Sequence, residues 1–548
     1  MLRVAAFAFC AAVFSGCAER ASGVADEVAD GDAAPPEPWL DCVASPDLVH
    51  VAFGGEADAA LTVLRHDGLG PPVEVEVDAW TVHESPGGHL THDGDFRAAG
   101  QRGGLVWAEA WVDGQSVDCR FDVFLEHWHD PAGIWPCASE AVTGSGPPMI
   151  YPPDGAVIPE ELPPPPLHAA GSGRTVFEIE AAYARVRAVV DAPAWQPDWP
   201  LWAAVLGSAA DQPVRIRAVD GDLAAGPWIE LHPGRFGMQG TLVYWSPETF
   251  GLWRLRPGAA EAEPWLGGDA FGDCVGCHAV NLANPERMTM ALGDGNGENV
   301  VRDLVDDVDV LRGADRPGNF STLDPTGTRL LRSVGGELLL DDVETGALLA
   351  IIGSGGWATH PSWAPDGDQI VYSRCADAPN PLDDVYVEEC GLASRTVEGD
   401  GFGPEEVLVP AEPGWNHYYP AFSPDSRWIA FNRSDGDAYD DDGASLHLVA
   451  RGGGPTLELA GANGPGSTKN SWPQWGPVIE EHAWLAFASD RAFGPQPAGT
   501  TQIWLSALDL SRAEQQQDPS TPAQHVPGQN PLTGNHTPVW LPRTVPAP

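Results

Sequence analysis

The stretch Thr359-His360-Pro361-Ser362-Trp363-Ala364-Pro365-Asp366-Gly367 runs into Gln369-Ile370-Val371-Tyr372-Ser373-Arg374, which places a Pro-Asp-Gly turn between two strand-like segments. Proline presets φ near −65° and glycine supplies a positive φ, so this tripeptide favours a tight reversal. The layout returns at Tyr419-Pro420-Ala421-Phe422-Ser423-Pro424-Asp425-Ser426, ahead of Trp428-Ile429-Ala430-Phe431-Asn432-Arg433. A third copy is Trp472-Pro473-Gln474-Trp475-Gly476-Pro477, followed by Trp484-Leu485-Ala486-Phe487 and closing on Arg491. A degenerate earlier copy is Leu323-Asp324-Pro325-Thr326-Gly327 before Arg329-Leu330-Leu331. Pro325, Pro365, Pro424 and Pro477 are separated by 40, 59 and 53 residues. A period near 40, lengthened by insertions, is that of propeller blades, which bury their faces only against one another.

Residues 282–542 are therefore expected to form a β-propeller of five or six blades. His536-Thr537-Pro538-Val539-Trp540 reads as the start of a last blade that needs a strand from elsewhere to close. Upstream, residues 39–145 alternate apolar and polar side chains, as in Val73-Glu74-Val75-Glu76-Val77, and predict a β-sandwich. Cys42, Trp80 and Cys119 follow the Cys–Trp–Cys order of immunoglobulin-like sandwiches. A proline-rich linker (146–173) with Pro163 to Pro166 leads to a second sandwich-like domain over 174–268. Residues 269–281 hold a separate cysteine motif, and 543–548 form a short tail. The expected class is all-β, two small sandwiches followed by the propeller.

The 548 residues include 29 basic and 78 acidic side chains, a formal charge of −49. Phosphate recognition needs a basic face, so nucleic acid is excluded as a direct partner. A cationic protein is the favoured encounter. With 22 tryptophans and 43% apolar residues the chain can bury a substantial core.

The start, Met1-Leu2-Arg3 and an apolar run to Phe14, reads as a secretory signal over 1–17. Ser15-Gly16-Cys17 resembles a bacterial lipobox with Cys17 lipidated, and Ala18 resembles an outer-membrane sorting signal. Residues 18–38 would be an acidic tether, and the lipid would be the sole membrane attachment. An ordinary cleaved signal is the alternative.

Export makes paired or occupied cysteines the expectation. Cys375 and Cys390 bracket a Pro/Asp-rich loop and are expected to form a disulfide; among Cys42, Cys119 and Cys137 one is left over. Cys274-Val275-Gly276-Cys277-His278 has the C-x-x-C-H spacing of c-type haem attachment, with two thiols for the vinyl groups and the histidine for iron. The expected cofactor is one covalent haem c. Met288 or Met290 is a candidate sixth ligand, and His360, His417 and His536 stay open as distal histidines. A Cys274–Cys277 disulfide beside an incidental histidine is the competing reading.

Asp435, Asp437, Asp440, Asp441 and Asp442 crowd one loop and are a candidate Ca²⁺ site, or a solvated acidic loop. His127 and His129 would share one face of a strand without an evident third ligand. No Gly-x-Ser-x-Gly elbow, H-E-x-x-H helix, P-loop or dinucleotide fingerprint is present, so no hydrolase or transferase chemistry is motivated.

The repeats over 282–542 resemble the TolB-like, WD40-like propeller repeats. Cys277-His278-Ala279 ahead of such blades, with Asn470-Ser471-Trp472-Pro473 and Pro527-Gly528-Gln529, resembles a group of exported bacterial proteins. That resemblance implies a propeller and a haem segment, and no particular activity. The expected function is an envelope lipoprotein with haem c beside a propeller docking platform, acting in electron transfer or haem-based sensing. The alternative is a non-enzymatic binding or scaffold lipoprotein without haem.

Overall fold

The structure, a computed structural model, describes residues 37–541 apart from 68–69, 132, 134–141, 144, 235, 294–296, 354, 377, 379–385, 440, 467–468 and 495–496. The lipidation expected at Cys17, the role of Cys137 and the cation ligand expected at Asp440 lie outside the described residues.

Strands dominate, and the fold is all-β. The N-terminal module packs one sheet (Trp39–Ser45, Ala57–His66, Asp95–Ala98, Gly88–Leu90, with Val73–Val75 on an edge) against another containing Gln115–His129, Gly104–Val112 and Ala79–Glu84. Burial alternates along Leu48–Ala52, so one face enters the core and the other meets solvent. Phe96 and Phe121 meet edge to face at 5.0 Å, and a Cys42–Cys119 disulfide joins the first strand to Gln115–His129.

Gln115–His129 continues past this module and pairs in parallel with Ala184–Val190, Leu125 opposite Ala184. One sheet therefore spans both N-terminal modules, running on through Thr175–Ala181, Val214–Asp220 and Ile229–Gly234. The helix Trp199–Gly207 shares the second core through Leu201, Trp202, Val205 and Leu206. Asp198 caps it, accepting from the Leu201 amide at 2.9 Å.

Two limits differ from those expected. The linker over 146–173 is part of the second module: Val157–Pro159 pairs with Ile229–Gly234, and Pro163, Pro164 and Pro165 are buried. Prolines lack an N–H to satisfy, which suits them to interior segments without ladder partners. The second module ends before Thr241, because Thr241–Ser246, Gly251–Leu255 and Glu263–Leu266 join the C-terminal strand His536–Leu541 in a four-stranded sheet. That sheet is blade 1 of a six-bladed propeller.

Blades 2 to 6 begin with the inner strands Val275–Asn281, Ser321–Leu323, Trp357–Trp363, Asn416–Phe422 and Ser471–Ile479, each leading outward through antiparallel neighbours. Successive inner strands touch all the way round, and Ser471–Ile479 meets His536–Leu541 to close the ring. Closure is a strand exchange between chain regions far apart: Thr241 faces Leu541, Leu242 faces Trp540 and Val243 faces Val539. The Trp540 indole donates to the Met238 carbonyl at 3.1 Å. Apolar layers fill the seams, Met288, Met290 and Val275 against Val243 and Leu252 between blades 1 and 2, for example. The turns behave as the repeat demands: Gly327 and Gly367 have φ of 70° and 86°, and Asp324 Oδ1 accepts the Thr328 and Arg329 amides at 2.8 Å each. Blade 6 differs, because its hairpin turns at Glu480 and Glu481, leaving Pro477 inside the strand.

Candidate functional site

Each inner strand carries, or in blade 3 directly follows, one residue five positions before its turn proline or that proline's counterpart: Cys277, Phe320, His360, Tyr419, Trp472 and Thr537 in blades 2, 3, 4, 5, 6 and 1. Five of them have left-handed backbone, with φ of 32° at Cys277, 52° at His360, 49° at Tyr419, 59° at Trp472 and 48° at Thr537. The ladder slips beside each of the first four, at Gly276–Ala279, Thr359–Ser362, Tyr418–Ala421 and Ser471–Gln474. Such bulges re-aim a side chain, and here they aim it at the propeller axis.

The side chains converge there. Phe320 lies edge-on to His360 at 4.3 Å, His360 to Tyr419 at 4.4 Å, and Tyr419 stacks on Trp472 at 3.8 Å. Phe320 and Trp472, from opposite blades, come within 6.1 Å. Cys277 packs against the same cluster. Phe320, His360, Tyr419, Trp472 and Thr537 are all at most 7% exposed, whereas Cys277 is only half-buried.

Cys274, Cys277 and His278 thus lie within the propeller. The motif forms the top of an inner strand rather than a segment between domains, and its backbone is extended with a left-handed bulge rather than helical. No disulfide joins Cys277 to Cys274. Burial, and secondarily the neighbouring Cys274, push the Cys277 thiol up to about 12. His278 stands where blades 1, 4, 5 and 6 carry Pro538, Pro361, Pro420 and Pro473. It is 3% exposed, neither ring nitrogen has a hydrogen-bond partner among the described residues, and burial pushes its pKa down to about 3, keeping the imidazole neutral.

This donor set suits a c-type haem: two adjacent thiols for thioether bonds and a neutral imidazole for iron. The orphaned nitrogens of His278 supply the physical test, since a buried imidazole with no partner costs about 1–3 kcal/mol unless something bonds it.

The other expected residues fall elsewhere. Met288 and Met290 are fully buried in the apolar seam between blades 1 and 2. His417 holds the Cys390 carbonyl through Nδ1 at 2.9 Å, and half-buried His536 sits beside Trp245. Cys375 and Cys390 are disulfide-bonded. Asp435, Asp437, Asp441 and Asp442 lie in the blade 5 loop after Trp428–Ser434, and the first two line a cleft of about 640 Å³ with Tyr386, Glu388, Glu389 and Asn416. Their oxygens serve the loop or its neighbour: Asp437 accepts from the Tyr439 amide, Asp441 from the Gly443 amide, and Asp442 pairs with Lys469 at 3.3 Å. Burial, then Asp437, Asp435 and Asp442, raise the Asp441 pKa. His127 and His129 stand 6.3 Å apart, ring to ring. Among the described residues no group of three or more His, Cys, Asp or Glu side chains is placed to hold a metal ion.

Of the ring side chains at the axis, Phe320, Tyr419 and Trp472 were missed in the sequence, and His360 was named only as an open distal histidine. The signal was present: counting back five from Pro325, Pro365, Pro424 and Pro477 reaches Phe320, His360, Tyr419 and Trp472, a ring side chain each time.

No family model and no curated protein matches the sequence. Among solved structures, TolB from Acinetobacter baumannii is similar at 12% identity and a TM-score of 0.39, over 60% of this chain and 79% of that one. A putative TolB from Agrobacterium tumefaciens is similar at 13% and 0.34, over 56% and 99%. Kuenenia stuttgartiensis hydrazine synthase is similar at 10% and 0.31, over 46% and 66%. The propeller rests on the closed ring of six sheets, not on these distant likenesses.

Proposed function

We propose that this chain is an exported, lipid-anchored propeller protein that carries one covalent c-type haem at the mouth of its axis and acts in electron transfer or haem-based sensing. The observation that carries the reading is the C-x-x-C-H motif on the inner strand of blade 2, with two thiols and a buried imidazole whose nitrogens have no partner among the described residues. Haem c bound there would supply one-electron chemistry. The protein's part is structural and electrostatic. Cys274 and Cys277 tether the group, the blade 2 bulge sets Cys277 on the axis, and the His278 imidazole stays neutral and able to donate its lone pair. The blades around the mouth form the docking platform, and a net charge of −49 favours a basic redox partner.

The test is direct. The chain is exported in a host with c-type haem maturation machinery, purified, denatured, and read by its pyridine haemochrome spectrum. One haem per chain that survives denaturation, and is lost in the Cys274→Ser/Cys277→Ser double variant, is expected. Haem-free protein with Cys274 disulfide-bonded to Cys277 would overturn the reading and favour a binding or scaffold protein. For the anchor, Cys17→Ser should release the protein from membranes.

A further inference from the structure

We propose that the end of the propeller carrying the C-x-x-C-H motif is the docking face for a cationic protein, with Phe250 and Leu532 as its apolar anchor. This rests on the reading of the mouth as a docking platform and sharpens it, naming the surface and the chemistry of the partner. It does not depend on haem.

Both anchors stand at that end. His536 pairs with Trp245 where the inner strand of blade 1 begins, so the loops on either side, 247–250 and 526–535, lie with the axial ring residues. The two loops are tied together, the Glu248 carboxylate accepting the Gly534 amide at 2.8 Å. The Phe250 carbonyl accepts the Val275 amide at 3.2 Å, which joins that loop to the C-x-x-C-H motif itself.

Phe250 is 58% exposed and Leu532 81%, the highest value among the large apolar residues described. Neither is a loose end. Phe250 holds a left-handed φ of 54°, which glycine tolerates and a bulky side chain resists. Leu532 is set by its amide, which donates to Asn530 Oδ1 at 3.1 Å. Apolar side chains fixed outward amid polar loops mark a protein contact.

The surrounding charge selects the partner. The other loops at this end, 267–274, 376–389, 410–415, 435–444, 459–470 and 490–501 among them, are rich in Asp and Glu and hold only two cations, Lys469 and Arg491. Both are engaged locally, with Asp442 and the Ala462 carbonyl. A second copy would meet the same acidic loops, anionic lipid would be repelled alike, and the chain's own segment 18–38 is itself acidic. A protein whose contact face sets an apolar centre in a ring of lysine or arginine fits both features.

The test uses the full chain, haem-free and haem-loaded, and a small lysine-rich c-type cytochrome as probe, read by surface plasmon resonance. Both forms should bind it saturably, more weakly as salt rises, and should not bind the probe with its lysines acetylated. Phe250→Asn/Leu532→Ser should weaken binding by about tenfold or more, chiefly through faster dissociation, with the urea midpoint unchanged. Glu388→Gln/Glu389→Gln/Asp435→Asn should instead slow association and flatten the salt dependence. Absence of salt-dependent binding, or a Phe250→Asn/Leu532→Ser variant that binds as wild type does, would overturn the proposal. Self-association lost in that variant would overturn it in favour of a second copy, and binding to anionic vesicles in favour of a membrane. A chain that binds the probe but takes up no haem would overturn the haem reading alone.

Discussion

Cys277 and His360 are counterparts: each stands on an inner strand, five residues before Leu282 or Pro365, with its backbone turned left-handed (φ 32° and 52°) and its side chain in the axial cluster. The attachment motif has therefore been written into the blade repeat, not added beside it. A repeat that delivers rings to the axis in blades 3 to 6 delivers a small thiol in blade 2 and a threonine in blade 1. Sequence position and bulge geometry are here consequences of one register.

Closure of the ring by the C-terminal strand has a measurable cost when broken. Trp540 is 1% exposed, faces Leu242 across the ladder and donates to Met238. Trp540→Ala should destabilise the chain by about 3–5 kcal/mol, the usual range for losing a buried tryptophan. Equilibrium urea denaturation would read this as a fall in midpoint with little change in slope. A shift under about 1 kcal/mol would mean that blade 1 is held by its other three strands alone.

The propeller was legible in the sequence wherever a turn kept its proline. Pro325, Pro365 and Pro424 do so, and their strands stand where the repeat puts them. Blade 1 was legible only at its inner strand, His536–Leu541, which the sequence marks as needing strands from elsewhere; the other three lie about half the chain away and no Pro-Asp-Gly turn joins them. Read locally, 241–266 are alternating strands, which a sandwich explains as well as a blade does. Blade 2 turns at Asn281–Asn284 without proline, which hid the register that places Cys277 on the axis. The C-x-x-C-H spacing was visible; its surroundings depend on contacts from five other blades, which no local pattern carries.

The Cys375–Cys390 disulfide closes a short loop at the edge of blade 4, with both sulfurs fully buried. Constraining a loop of 15 residues in the unfolded chain is worth about 3 kcal/mol in the chain-entropy account. The Cys375→Ala/Cys390→Ala double variant should lose about that much in denaturant titrations. Non-reducing peptide mapping should recover the two cysteines in one linked peptide, and free thiols at both would contradict the pairing.

Buried histidines outside the haem motif make stability depend on pH. Burial pushes His525 down to about 3 and His447 and His536 to about 4, and lowers His417 too. Unfolded, each would take up a proton near pH 6.5, so between about pH 4 and 6.5 the unfolded state binds more protons than the folded one. Stability is then fully present above pH 6.5 and falls as pH drops through the window. Unfolding free energies measured between pH 5 and 7, where ordinary carboxylates stay ionised, should rise with pH. His447→Phe should flatten the slope by close to one proton, and an unchanged slope would exclude His447 as a contributor.

His278 stands where four sister blades carry proline, and in its ladder neither it nor those prolines has a paired partner. The backbone before it is left-handed at Cys277, as it is before Pro361, Pro420, Pro473 and Pro538, so proline fits this site without new strain. His278→Pro also removes two buried nitrogens that have no hydrogen bond. Lost packing around the imidazole offsets part of that gain. The haem-free variant should therefore be as stable as the haem-free wild type, or more so by about 1 kcal/mol. A loss of more than about 2 kcal/mol in urea denaturation would instead mark the imidazole as a packing element. With haem attached, the same variant should keep the group through Cys274 and Cys277 but lose the spectral signature of its histidine ligand. A residue that weakens the bare fold and defines the loaded one is retained for the ligand, and this pair of measurements separates that case from a structural one.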